Sequence, residues 1–241
     1  MAHTEPVLAP APVVTDLGRR AVAELVGTAF LVAAVIGSGI AASRLSPNDA
    51  GLQLLENSLV TGAALVALIL ALQPVSAAFY PVVTLVERAL GLIDTTTAAV
   101  LIAAQMVGGI IGAVVANLMF DLDAITIAET ERSGGNLWFA EVIATIGLVL
   151  IIFGSLRSGR VNTVAFAVAG YITAAYWFTS STSFANPAVT VARMFSDTFA
   201  GIAPSSVPMF VGMQLVGGAL AALLVRYLYS HPTAQLIVED A

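Results

Sequence analysis

The chain contains no cysteine and no lysine, and its two histidines, His3 and His231, lie near its ends. Without cysteine there is no disulfide framework, no thiolate metal site and no thiol nucleophile. Without an interior histidine, imidazole acid–base chemistry and a histidine-ligated metal are not expected. Charge is scarce as well. Only 10% of the 241 residues are charged, against about 25% in a soluble domain. The net charge of −6 sits mostly in tails and loops and points to no partner, nucleic acid included. These absences argue against an enzyme, and no cofactor or metal is expected.

What is abundant is apolar sequence, 59% of the chain. A helix crosses a bilayer with about 20 apolar residues. Six segments qualify, near 20–42, 55–73, 97–120, 137–156, 162–180 and 207–229. They are separated at Gln73-Pro74, Asp94-Thr95-Thr96-Thr97, 121–136 and Arg157-Ser158-Gly159-Arg160. Residues 1–18 carry Glu5, Asp16 and several prolines, with no apolar stretch before a cleavage site. They read as a disordered cytoplasmic tail and not as a signal peptide. The expected organisation is that tail, one transmembrane domain over 19–230 and a C-terminal tail over 231–241. With the N-terminus in the cytoplasm, Arg19, Arg20, Arg88, Arg157, Arg160 and Arg226 fall inside, and Arg44, Arg132 and Arg193 fall outside. The excess inside supports cytoplasmic termini.

The two halves repeat. Ala23-Glu24-Leu25-Val26-Gly27-Thr28 matches Ala140-Glu141-Val142-Ile143-Ala144-Thr145, and Gly37-Ser38 matches Gly154-Ser155. Gln105-Met106-Val107-Gly108-Gly109 in span three matches Gln214-Leu215-Val216-Gly217-Gly218 in span six. Between matched flanks lie Tyr80-Pro81-Val82-Val83-Thr84 and Asn186-Pro187-Ala188-Val189-Thr190. Each proline segment is too short and too polar to span. Four matches in one order identify an internal repeat. Three spans per repeat is an odd number, so the second copy is inverted relative to the first.

Inversion brings the proline segments in from opposite faces. Proline is favoured at the first helical position, where its missing N–H costs nothing. Each segment should therefore enter as loop and leave as a half-helix, with both N-termini meeting near the midplane. Irregular backbone at that depth is tolerated only where protein buries it or it lines a watery cavity. The expected fold is all-α: six transmembrane helices and two re-entrant half-helices around a pore.

On these motifs the chain resembles the aquaporin and aquaglyceroporin family, the major intrinsic proteins, over about residues 20–230. The resemblance implies passive conduction of water and small neutral solutes through one pore per subunit of a homotetramer, in the plasma membrane. It makes Asn186 the second pore asparagine, which caps its half-helix and offers its amide to a passing oxygen. The pore motifs are then Tyr80, Pro81 and Val82 with Asn186, Pro187 and Ala188. Two departures stand out. Tyr80 replaces an asparagine, and its phenol either donates a hydrogen bond to the solute or narrows the pore. Val189 stands where many water channels of the family carry the filter arginine. The projected filter is Thr61, Ala174, Ser183 and Val189. All are small or apolar, so the constriction should be wider and less polar than a water filter. Glycerol, urea and undissociated metalloid hydroxides suit it.

Three features remain. Arg193 and Asp197 are spaced for an i,i+4 ion pair that closes the half-helix. That is favoured over Arg193 replacing the filter arginine, because a full turn displaces it about 5 Å along the axis. Glu24 and Glu141 are intramembrane carboxylates, which by default suggest proton coupling. Their repeat placement favours a structural role, accepting backbone N–H groups of the loop each faces. Tyr176-Trp177-Phe178 either lines the outer vestibule or forms an interface belt, and the belt is the default. The rivals to a passive channel are a non-conducting or gated member of the family and a proton-coupled transporter.

Overall fold

The structure is a computed structural model that describes residues 16–229; the rest of the expected tails lies outside the described residues. Eight α-helices follow in order: α1 Leu17–Leu45, α2 Ala50–Leu72, α3 Pro81–Ala89, α4 Thr95–Met119, α5 Gly135–Arg157, α6 Val164–Phe178, α7 Pro187–Ala192 and α8 Val207–Leu228. Short 3-10 turns at Val161–Thr163 and Arg193–Phe195 extend α6 and α7. Among the described residues six helices are long and apolar enough to cross a membrane, and α3 and α7 are the two half-helices.

Helix ends follow local chemistry. The side chains of Asp16, Asp49 and Asp94 accept the backbone N–H of Arg19, Leu52 and Thr97, at 2.7, 2.9 and 2.8 Å. Each satisfies an N–H that the helix itself cannot. Thr97 bonds hold the exposed Asp94 carboxyl below the usual carboxylate range. The Asp49 cap starts α2 at Ala50, ahead of the apolar run expected from residue 55. Gln53 and Glu56 lower the hydropathy there without interrupting the backbone bonds. Likewise α1 begins at Leu17, inside the expected tail.

α1 packs on α4 and α2, and α5 packs on α8 and α6, so the two repeats use equivalent pairings. Both half-helices lodge against α4 and α8. The close crossing of α1 and α4 depends on Gly108 and Gly112. A Cβ at these positions would lie 2.2 Å from the Leu25 carbonyl oxygen and 2.3 Å from that of Ala29. Only glycine permits that backbone approach. The spans are inside-out relative to a soluble protein: Phe30, Leu59, Phe166 and Leu223 are exposed, while Glu24, Gln105, Glu141 and Gln214 are fully buried. That arrangement suits a hydrocarbon solvent, where polar side chains face the bundle interior.

Candidate functional site

Each half-helix is held by a matching polar cluster. Glu24 Oε1 accepts from Ser76 Oγ at 2.5 Å and Ala78 N at 2.8 Å; Oε2 accepts from Phe79 N at 2.7 Å and Gln105 Nε2 at 2.8 Å. Glu141 accepts from Phe184 N at 3.0 Å, Ala185 N at 2.8 Å and Gln214 Nε2 at 2.6 Å. The same glutamines reach the half-helices, Gln105 to Thr84 Oγ1 at 3.0 Å and Gln214 to Thr190 Oγ1 at 2.9 Å. Both carboxylates are thus occupied with loop and glutamine donors, and neither lines the central cavity. The glutamines and threonines complete the clusters. Their signal was in the sequence: matched polar residues inside apolar spans need buried partners.

These bonds stabilise an unusual backbone. Phe79, Thr182, Ser183 and Ala185 have φ of 54°, 62°, 52° and 47°. Positive φ is costly outside glycine and persists only where surrounding contacts over-determine it. Phe79 and Ala185 immediately precede the two half-helix caps, and each gives its N–H to a buried carboxylate.

The two half-helices touch. Asn186 Oδ1 accepts from Ala188 N at 2.9 Å and Val189 N at 3.3 Å, which caps α7. Its Nδ2 donates to the Phe79 carbonyl at 3.0 Å, across to the other loop. The resemblance has this amide facing a solute; one of its two hydrogens is taken by Phe79, and Asn186 is not among the cavity-lining residues. Tyr80 makes no side-chain cap on α3. Pro81 and Pro187 occupy the first helical turn of each half-helix, and Val82 and Ala188 are buried beside them.

A cavity of about 10 Å³ extends from Tyr80 along α7 and is lined by Leu31, Val35, Thr61, Tyr80, Ile172, Tyr176, Ser183, Phe184, Val189 and Arg193. That volume is near the minimum for one water molecule. Of the projected filter, Thr61, Ser183 and Val189 are brought together here, and Thr61 Oγ1 lies 3.2 Å from the Tyr176 hydroxyl. Ser183 Oγ is buried without a hydrogen-bond partner.

Ala174 does not join them. It is exposed, while Ile172 and Tyr176 line the cavity. Ile172 and Tyr176 are one turn apart on one face of α6, and a step of two residues turns about 200° to the opposite side. Tyr176 accordingly leaves the interface belt, whereas Trp177 and Phe178 remain exposed.

The Arg193–Asp197 ion pair does not form. An i,i+4 pair needs unbroken helix between its partners, but α7 ends at Ala192, a single 3-10 turn follows, and Ser196 is extended with φ −140° and ψ 105°. Asp197 Oδ1 accepts from Glu129 N at 3.0 Å instead. Arg193 is only 3% exposed. Its Nε donates to the Ala200 carbonyl, and its guanidinium carbon lies 3.6 Å from the Phe184 ring centroid. The constriction is therefore neither open nor weakly polar. Val189 leaves space that Tyr176, Phe184 and a guanidinium from one turn further along occupy. Arginine's length makes up the axial offset.

An inverted three-helix repeat with opposed half-helices meeting at a buried cavity defines a membrane channel. A family model for the major intrinsic proteins matches residues 13–163, and the chain belongs to that family. It is a multi-pass membrane channel protein and not an enzyme. The aquaglyceroporin AqpS of Rhizobium meliloti (strain 1021) is 47% identical over 214 residues, covering 88% of this chain and 91% of that protein. The X-ray structure of the aquaglyceroporin from Plasmodium falciparum matches with a TM-score of 0.67 at 16% identity, over 92% of this chain and 99% of that one. That likeness concerns the fold.

Proposed function

We propose that the chain is a passive channel for small uncharged solutes, glycerol, urea and metalloid hydroxides among them, and for water. The observation that carries this reading is the lining of the cavity. Tyr80, Tyr176, Thr61 and Ser183 offer hydroxyls, Arg193 offers a guanidinium, and no carboxylate contributes. Such a surface suits hydroxyl or carbonyl oxygens passing in single file, while Arg193 repels cations. Thr61, Ser183, Val189, Tyr176 and Arg193 act as the filter, and Asn186 acts by fixing the junction of the half-helices. The protein works as a homotetramer in the plasma membrane. Both termini lie in the cytoplasm, a placement that the arginine distribution supports. Light scattering on proteoliposomes after an osmotic step tests the reading. Water and glycerol fluxes above those of empty liposomes are expected; baseline flux for every small neutral solute would remove it.

A gated form of the same channel is favoured by one observation, the small cavity volume beside the 4% exposed Tyr80. Movement of the phenol would widen the path at the midplane. Tyr80→Asn should then raise flux well above the parent, and equal flux in both proteins would dismiss the gate.

A further inference from the structure

The loop from 121 to 134 runs alongside the segment that leaves α7. Thr126 N donates to Phe195 O at 3.2 Å, Ala128 N to Met194 O at 2.9 Å, and Ala203 N to Thr130 O at 2.8 Å. Arg132 closes this arrangement. Its backbone N–H donates to Ser206 Oγ at 2.9 Å, its Nε to Gly201 O at 2.9 Å and its Nη2 to Phe199 O at 3.4 Å. Arg193 takes the intervening carbonyl, that of Ala200. Two arginines far apart in sequence thus bind three consecutive carbonyls.

They also share one aromatic ring. The guanidinium carbon of Arg132 lies 5.2 Å from the Phe184 centroid, and that of Arg193 lies 3.6 Å from it. Phe210 meets the same ring edge-on at 5.1 Å and 74°. Neither arginine has an ion pair among the described residues. Phe184 is a wall of the cavity, whereas Arg132 is not.

We propose that Arg132 is a specificity-determining positioning residue: from outside the pore it fixes Phe184, and through that ring and the 199–201 carbonyls it sets where the Arg193 guanidinium stands in the constriction. The inference rests on the channel reading above. Arg132 touches no solute. It restrains the ring and loop that would otherwise shift away from the pore axis. Loosening them should change which solutes pass more than how much folded channel there is.

The test is the ratio of glycerol to water permeability in proteoliposomes, normalised to reconstituted protein, which cancels differences in yield. Arg132→Ala should raise the ratio roughly threefold, the size expected for losing one cation–aromatic contact. Arg132→Lys should restore part of it. In a Phe184→Leu background, Arg132→Ala should have a clearly smaller effect, because the shared ring is gone and only the 199–201 carbonyls still link the two arginines. If Arg132→Ala yields no folded protein, Arg132→Lys with and without Phe184→Leu gives the same comparison. An unchanged ratio in the Arg132 variants, while Arg193→Gln alters it, would overturn this inference and leave the channel reading intact. So would an Arg132 effect of equal size in both backgrounds. Absence of flux in the parent would overturn both.

Discussion

Replacing Glu24 by glutamine preserves shape and tests what the carboxylate is for. Four donors converge on it, two on each oxygen. An amide has one acceptor oxygen and directs N–H groups where the other oxygen stood. Whichever way it turns, two bonds are lost and two donors face a donor. Hydrogen bonds to charged groups contribute about 1.5–3 kcal/mol each, so the loss is about 3–6 kcal/mol. Gln105 can relieve part of it. Its Oε1 is buried and unpartnered, so flipping the amide would accept from the new glutamine, though at the expense of the bond to Thr84. The lower end, about 3 kcal/mol, is therefore expected. Folded proteins are stable by about 5–15 kcal/mol, so the change is readily measured. Denaturant or thermal unfolding of purified protein in detergent gives it directly. Solute flux per folded channel should fall too, because Phe79, at φ 54°, loses the bond that holds its backbone. A Glu24→Gln protein as stable as the parent would refute the reasoning. If that protein also lost uptake driven by a proton gradient, the carboxylate would be a coupling group and not an anchor.

Gly108→Leu should abolish folded, monodisperse protein in size-exclusion chromatography, since even a Cβ there meets the Leu25 carbonyl at 2.2 Å. Gly212→Ala, with nothing within 4 Å of the added carbon, is the control and should elute like the parent. Val189→Arg adds a long cation to a cavity of about 10 Å³ and should depress glycerol flux more than water flux; unchanged fluxes would remove position 189 from the constriction. Asp197→Asn should leave the glycerol-to-water ratio unaltered, because Asp197 binds Glu129 N and not Arg193. A ratio shifted as far as that of Arg193→Gln would reinstate the pair.

Much of this protein is determined by sequence alone. Bilayer thickness converts apolar length directly into spans, and the matched Glu24/Glu141, Gln105/Gln214 and proline segments require inversion because each repeat has an odd number of crossings. The loop-anchoring role of the two glutamates was legible for the same reason, since a buried carboxylate must find donors and the nearest irregular backbone supplies them. The pore lining was not legible to the same degree. Sequence places Ala174 on the pore and leaves Tyr176 between vestibule and interface, because facing depends on helix rotation. That rotation is set by packing among helices distant in sequence. The fate of Arg193 turned on where α7 stops. Its six residues, Pro187–Ala192, end in a 3-10 turn, which the i,i+4 spacing does not reveal. Phe184 lines the constriction, with Arg132 standing behind its ring, only through contacts between residues far apart in the chain. Local patterning decides which segments cross the membrane and how they repeat. Only the tertiary structure decides which side chains reach the pore axis, because that depends on helix rotation and loop strapping of a few ångströms.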